Sequence, residues 1–332
     1  MTVAKAELHC HIEGAAKPAL VRRLAARRGI DLGDLFDASG GYRWHDFASF
    51  LDAYGRASSV FRTRDDFREL ARDHFTGIAA EGAIYGEVFV APDIAADSGI
   101  AYDDYVGGLG EGIAAAETEA GIVGRMIVIA VRHLGPQRAQ AMAATAAANP
   151  HPLVTGFGLA GDETMHHPRD FAPAFAIARE AKLGLTAHAG ELAGPESVTA
   201  ALDHLGVGRI GHGVRAIEDP AVVGRLAADK VVLELCPSSN VALKLYPDIA
   251  RHPFRRLMEA GVRVTINSDD PPYFRTTLGG EYEALKRHQG LDEAALLAAT
   301  RTAIEAAFVD EATRGRLLAR LGEAAVAATR PA

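Results

Sequence analysis

The chain has 332 residues, of which 48% are hydrophobic and 23% charged, so it can bury a large core as one α/β barrel or two ordinary domains. A net charge of −8 argues against a general binder of nucleic acid or anionic membranes, since both need a basic surface. Only two cysteines are present, which excludes a disulfide framework and a zinc ribbon and is typical of a reducing compartment.

The first residues lead directly into charged and histidine residues, without the apolar core of a signal peptide. No later run approaches the roughly 20 apolar residues of a membrane span. We therefore expect a cytoplasmic protein that acts on a small molecule, with no nucleic-acid or membrane partner.

The first strand-like segment, residues 5–14, carries two histidines at alternate positions. Side chains alternate between the two faces of a strand, so His9 and His11 are expected on one side and Cys10 on the other. We interpret Cys10 as a small buried hydrophobic residue. The histidine pair forms half of a metal site or, in the competing interpretation, a hydrogen-bonded polar patch at a strand end.

A helical pattern over residues 18–29 is followed by an aromatic-rich segment, residues 42–61, and by a second helical pattern over residues 65–81. The aromatic segment has two interpretations that the sequence leaves open. Its side chains either pack in the core or form a lid over an apolar ligand.

From residue 83 onward, strand-like and helical patterns alternate. Seven further strands are predicted, at residues 83–90, 124–131, 154–159, 183–189, 209–214, 231–235 and 263–267. Helices are predicted near residues 102–120, 136–148, 168–181, 195–205, 219–229 and 253–260. Eight strands that alternate with helices predict a parallel sheet closed into a (β/α)₈ TIM barrel with additional helices.

Residues 291–328 are rich in alanine and are predicted to be helical and to pack outside the barrel. No internal repeat, linker or composition break divides the chain, so residues 1–332 are predicted to form one domain. A doubly wound nucleotide fold is the weaker alternative, because neither its glycine-rich fingerprint nor a P-loop occurs.

Polar residues collect at the carboxyl ends of four predicted strands, which lie at one rim of a barrel. The ligands among them are three histidines and one member of an aspartate pair: His9, His11, His188 and Asp269 or Asp270. This set suits Zn²⁺, with iron or manganese as alternatives. Successive side chains diverge, so one aspartate is expected to bind the metal and its neighbour the substrate. Glu191 and His212 remain as proton-transfer groups.

Six motifs occur in the same order as in a known enzyme family. They are His-Cys-His-Ile-Glu-Gly at 9–14, Leu-Ala-Gly-Asp-Glu at 159–163, His-Ala-Gly-Glu at 188–191, Arg-Ile-Gly-His-Gly-Val at 209–214, Cys-Pro-Ser-Ser-Asn at 236–240 and Asn-Ser-Asp-Asp-Pro at 267–271. Over nearly its whole length the chain resembles the adenosine deaminase family of amidohydrolase barrels.

The resemblance implies a role for each matching residue. One zinc ion per chain would be bound by His9, His11, His188 and Asp269. Glu191 would handle the proton at purine N1, and His212 would orient the hydroxide. In the substrate pocket, Asp270 would contact purine N7, the amide of Gly161 would face N3, and the carboxylate at Glu13 would meet the ribose 5′-hydroxyl.

Three positions depart from the usual adenosine deaminase pattern and look more like adenine deaminases. Glu13 replaces an aspartate, Phe89 an arginine, and Gly158 a frequent aspartate. Three other stretches look more like the nucleoside enzymes: residues 160–163, 211 and 276–278. We therefore predict zinc-dependent hydrolytic deamination of adenosine and 2′-deoxyadenosine, with release of ammonia, in purine salvage.

The alternatives are deamination of adenine to hypoxanthine, or of a modified adenine nucleoside. A different metal-dependent amidohydrolase is disfavoured, because such enzymes often bridge two metals with a lysine at a strand end, whereas Lys182 and Lys230 precede strands. A non-catalytic metal-binding protein is disfavoured because Glu191 and His212 are both present.

Overall fold

The computed structural model describes residues 3–328, with side chains to residue 324, so the two ends of the predicted 1–332 domain lie outside the described residues. Eight strands run through the described chain: β1 (Lys5–Glu7), β2 (Ala83–Val90), β3 (Val123–Val131), β4 (Val154–Ala160), β5 (Gly184–Ala189), β6 (Arg209–His212), β7 (Val232–Leu235) and β8 (Arg263–Ile266). Each strand pairs in parallel with the next, in the order of the sequence.

The sheet closes between the segments that follow β1 and β8. Cys10 and Asp269 form a parallel bridge. In it, the backbone N–H of His11 donates to the Asp269 carbonyl at 2.9 Å, and that of Asp269 donates to the His9 carbonyl at 3.1 Å. The predicted (β/α)₈ barrel is therefore confirmed.

Helices surround the barrel and cover its ends. They are α1 (Pro18–Arg28), α2 (Phe47–Ser58), α3 (Arg64–Ala80), α4 (Pro92–Asp97), α5 (Tyr102–Ala120), α6 (Pro136–Ala148), α7 (Ala172–Glu180), α8 (Pro195–Leu205), α9 (Pro220–Ala228), α10 (Pro237–Ala242), α11 (Phe254–Glu259), α12 (Pro271–Phe274), α13 (Leu278–Gln289), α14 (Glu293–Ala306) and α15 (Glu311–Ala328). No helix among the described residues combines the length and apolar character that a membrane crossing requires.

One predicted strand differs in extent from the observed one, and the aromatic segment contains a helix that was not predicted. The first strand was expected over residues 5–14, but a bend at Leu8 ends the regular ladder after three residues. The helix in the aromatic segment begins at Phe47, because Asp46 caps it by accepting from the backbone N–H of Ser49.

The carboxy-terminal segment does more than pack outside the barrel. Between α14 and α15, the backbone N–H of Phe308 donates to Glu87 at 2.6 Å. Its ring lies 3.7 Å from the guanidinium carbon of Arg209, at the amino-terminal end of the barrel. The predicted helical tail therefore contains α14 and α15, and the turn between them covers the base of the barrel.

Candidate active site

The four predicted metal ligands meet at the carboxyl-terminal rim. Ligand atoms of His9, His11, His188 and Asp269 all lie within 4.8 Å of one another. The Nε2 atom of His11 is 3.3 Å from that of His188, and 3.5 Å from Asp269 Oδ1. The Nε2 atom of His9 is buried and has no hydrogen-bond partner within residues 3–324. Three imidazoles and one carboxylate at this spacing fit Zn²⁺.

Hydrogen bonds on the far side of two rings orient these ligands. The Nδ1 atom of His9 lies 2.9 Å from Glu234 Oε2, and the Nδ1 of His188 lies 3.0 Å from the Leu159 carbonyl. Burial alone would raise the pKa of Glu234, but Arg209 and His9 lower it, so the carboxylate accepts. Both rings therefore turn Nε2 towards the centre of the site.

The backbone is strained where two site residues leave their strands. His212 has φ 56° and Asp269 has φ 63°, the left-handed region that non-glycine residues rarely adopt. At Gly211, a Cβ atom would lie 2.8 Å from the Cε1 atom of His9. Glycine is needed there so that the histidine rings can approach β6.

Glu191 and His212, the predicted proton-transfer groups, lie side by side. The Nδ1 atom of His212 is 3.5 Å from Glu191 Oε1, and the Asn240 side-chain amide is within 3.4 Å of both. Burial raises the pKa of Glu191 well above its ordinary value, and the charges of Asp269 and Glu163 add to the effect. Burial lowers the pKa of His212 to about 3.

The two members of the aspartate pair lie in different surroundings. Asp269 lies among the histidines and accepts a hydrogen bond from the Ser239 hydroxyl at 2.6 Å. Asp270 lines the cavity, and its Oδ1 atom is buried with no hydrogen-bond partner in the described part of the chain. Burial raises the pKa of Asp270, as does the charge of Asp269. At Gly14 a Cβ atom would lie 1.7 Å from Asp270 Oδ1, so only glycine leaves room for this carboxyl group.

Sequence reasoning missed the residue that shapes the loop of Glu191. The buried carboxylate of Glu163 accepts hydrogen bonds from four consecutive backbone amides and one hydroxyl: Gly190, Glu191, Leu192, Ala193 and Ser197. The position of Glu163 in the Leu-Ala-Gly-Asp-Glu motif at the end of β4 was the feature of the sequence that could have indicated this role. The carboxylate and the amide donors are distant in sequence, so their contact could not be read from spacing.

The candidate metal ligands lie at a cavity of about 250 Å³. Helix α2 forms one wall with Phe47, Phe50, Leu51 and Tyr54. This position of α2 agrees with the lid interpretation, which remains a prediction. Phe61 does not line the cavity and instead packs against Phe67 at a ring distance of 5.9 Å, as the core-packing interpretation predicts.

Two further residues of the cavity lining follow neighbouring strands. Gly161, a predicted site residue with φ 98°, follows β4. His133 follows β3, and no motif drew attention to it.

Glu13 is already engaged by protein groups. Its carboxylate accepts hydrogen bonds from the hydroxyls of Tyr105 and, at 3.3 Å, Tyr54. The Tyr105 oxygen in turn accepts from the backbone N–H of Ala91 at 3.0 Å. Burial raises the pKa of Glu13 to about 7. Tyr54 rather than Glu13 lines the cavity.

A family model described as adenosine deaminase matches residues 4–324. The chain belongs to the adenosine deaminase family. Its similar relatives include the adenine deaminase of Chelativorans sp., 57% identical over 317 residues, which are 96% of this chain and 97% of that protein. The adenine deaminase of Mesorhizobium japonicum is 53% identical over 321 residues, covering 97% of this chain and 99% of that protein.

Solved structures of similar proteins include an adenine deaminase and an amidohydrolase with bound Zn. The crystal structure of adenine deaminase from Arthrobacter aurescens is 32% identical, with a TM-score of 0.89, and covers 97% of this chain and 98% of that one. An amidohydrolase from Burkholderia ambifaria with bound Zn is 29% identical, with a TM-score of 0.88 and coverage of 97% and 90%. This member of the adenosine deaminase family is thus a deaminase enzyme, and the relatives named here are adenine deaminases.

Proposed function

We propose that this chain is an adenine deaminase, which hydrolyses adenine to hypoxanthine and ammonia with one Zn²⁺ held by three histidines and Asp269. This proposal replaces the predicted preference for adenosine and 2′-deoxyadenosine with the alternative substrate, adenine. The observation that carries the proposal is the engagement of Glu13 by Tyr54 and Tyr105.

In the nucleoside enzymes that this chain resembles, the carboxylate at the position of Glu13 meets the ribose 5′-hydroxyl. Here Tyr54 and Tyr105 supply the hydroxyl donors, and the side chain is buried. A ribose would have to displace a tyrosine hydroxyl that already satisfies the carboxylate, and an unpaired buried polar group costs about 1–3 kcal/mol. A base without a sugar leaves this arrangement intact.

The other two departures from the adenosine deaminase pattern, Phe89 and Gly158, also make the site less polar. Phe89 lies edge-on to the ring of His9, with centroids 4.7 Å apart, and joins an apolar cluster with Ile129. At Gly158, a Cβ atom would lie 3.3 Å from side-chain atoms of both Ile129 and Thr186, so an aspartate would be crowded. The relatives named adenine deaminase, at 51–57% identity, support the same substrate. We also infer a role in purine metabolism in the cytoplasm.

The reaction adds water at C6 and breaks the bond to the exocyclic nitrogen, which leaves as ammonia. A bound Zn²⁺ supplies a Lewis acid that lowers the pKa of water to about 7. We assign proton transfer at purine N1 to Glu191 and orientation of the attacking water to His212. Asp270 contacts N7, and the amide of Gly161 contacts N3.

The test compares adenine, adenosine and 2′-deoxyadenosine on the zinc-loaded wild-type protein, by the change in ultraviolet absorption on deamination. We expect the highest kcat/KM for adenine. If adenosine is the best of the three, the adenine assignment is wrong and the prediction from the sequence stands. A 5′-substituted adenosine as the best substrate would indicate an enzyme for modified nucleosides.

A further inference from the structure

We propose that His133 is a specificity residue that accepts a hydrogen bond from the N9–H of the free base. This inference rests on the proposed adenine deaminase function. In it, His133 is the group that distinguishes a base without a sugar from a nucleoside. His133 has no role in the family resemblance or in the proposed proton transfers.

The position of His133 follows from strand pairing. Val131, the last residue of β3, pairs with Ala160, the last of β4, so the residues that follow these strands are neighbours at the rim. A Cβ atom built on Gly161 would lie 2.9 Å from the Nδ1 atom of His133. Both residues line the cavity next to the catalytic groups.

The Nδ1 atom of His133 is buried and has no hydrogen-bond partner among the described residues. Buried polar atoms are normally paired, so an unpaired nitrogen on a residue that lines the cavity indicates a ligand group. Burial lowers the pKa of His133, although the charge of Asp162 opposes this effect. A neutral imidazole keeps one nitrogen lone pair that accepts a hydrogen bond.

The polar atoms of adenine are N1, N3, N7, N9 and the exocyclic N6. The proposed contacts occupy N1, N7 and N3 through Glu191, Asp270 and Gly161, and N6 leaves as ammonia. Only N9–H is without a partner. N9 and N3 are bonded to the same ring carbon, so a group beside Gly161 faces N9 when the amide of Gly161 contacts N3. In adenosine, N9 carries the sugar and has no hydrogen to donate.

The experiment measures kcat and KM for adenine and for 9-methyladenine, in which the N9 hydrogen is replaced, with wild-type protein and with His133→Ala and His133→Gln. Loss of a hydrogen bond that leaves a buried group unpaired costs about 1–3 kcal/mol, or roughly 5- to 150-fold. For His133→Ala we expect KM for adenine to rise by about tenfold or more, with little change in kcat. KM for 9-methyladenine should stay the same.

The Gln variant should recover part of the affinity for adenine, because its amide oxygen also accepts a hydrogen bond. His45→Ala is the matched control, since the His45 side chain is 81% exposed and outside the cavity. All variants should keep the wild-type zinc content.

Equal changes in KM for both substrates, or no change for either, would overturn the role of His133 while leaving adenine deamination in place. Wild-type protein that fails to deaminate adenine would instead refute the proposed function, and the role of His133 with it.

Discussion

Glu234 lies 2.9 Å from the Nδ1 atom of His9, at a point where neither side chain is exposed to solvent. The other oxygen of Glu234 accepts from Arg209 at 2.6 Å and from the Thr186 hydroxyl at 3.2 Å. Arg209 also pairs with Glu87 at 2.6 Å. This buried network links the base of the barrel to a proposed metal ligand.

Glu234→Gln should weaken zinc binding by about 10- to 100-fold, the usual effect of losing a group that orients a ligating histidine. The neutral amide is a poorer acceptor for the His9 ring and leaves Arg209 with one anionic partner. Zinc affinity can be measured by competition with a chromogenic chelator. Thr186→Val is the control, because it removes a hydrogen bond from the other oxygen only. Equal affinity in the two variants would show that Glu234 does not orient His9.

Glu191→Gln should keep the fold and one zinc per chain but lower kcat by about 10² to 10⁴, because an amide cannot transfer the proton that N1 requires. Elemental analysis and steady-state kinetics on the same preparation separate the two effects. Loss of zinc would instead make Glu191 a ligand, and two ions per chain would contradict a mononuclear site.

Phe50→Ala and Phe61→Ala form a matched pair of variants. Phe50 lies within α2, and Phe61 follows its end. Phe50 lines the cavity, so its truncation should raise KM for adenine. Phe61 is 1% exposed and packs away from the cavity, so its truncation should leave KM unchanged and cost about 3–5 kcal/mol in the free energy of unfolding. Urea unfolding and kinetics of both variants check the contrast. Similar KM values for the two variants would show that α2 does not contribute to substrate binding.

Glu281→Gln should change stability in a pH-dependent way. Glu281 is fully buried and accepts from the Ser238 amide at 3.1 Å and the Thr276 hydroxyl at 2.6 Å. Burial raises its pKa from 4.5 to about 7. The folded state therefore holds a proton that the unfolded state has released, and wild-type stability falls as the pH rises from about 4.5 to 7.

The free energy of unfolding of the Gln variant, relative to wild type, should therefore increase over that range by at most about 3 kcal/mol. Urea unfolding at pH 5 and pH 8 measures the difference. Glu293→Gln on the exposed face of α14 is the control and should stay within about 0.5 kcal/mol of wild type at both pH values. A pH-independent difference for Glu281→Gln would show that this carboxyl group is already ionised in the folded state at pH 5.

The sequence by itself was sufficient for the barrel and for the composition of the proposed site. Alternating strand and helix patterns record which side chains are buried, and this periodicity is local. Once eight parallel strands close into a barrel, their carboxyl ends share one rim, so His9, His188 and Asp269 must be near one another.

Only the tertiary structure decided what surrounds these residues. Glu13 accepts a hydrogen bond from Tyr105, which is 92 positions away, and the proposal of adenine rather than adenosine as substrate rests on this contact. The unpaired nitrogen of His133 beside Gly161 likewise depends on how two neighbouring strands end. Such contacts follow from the packing of distant segments, which the spacing of residues along a chain does not encode.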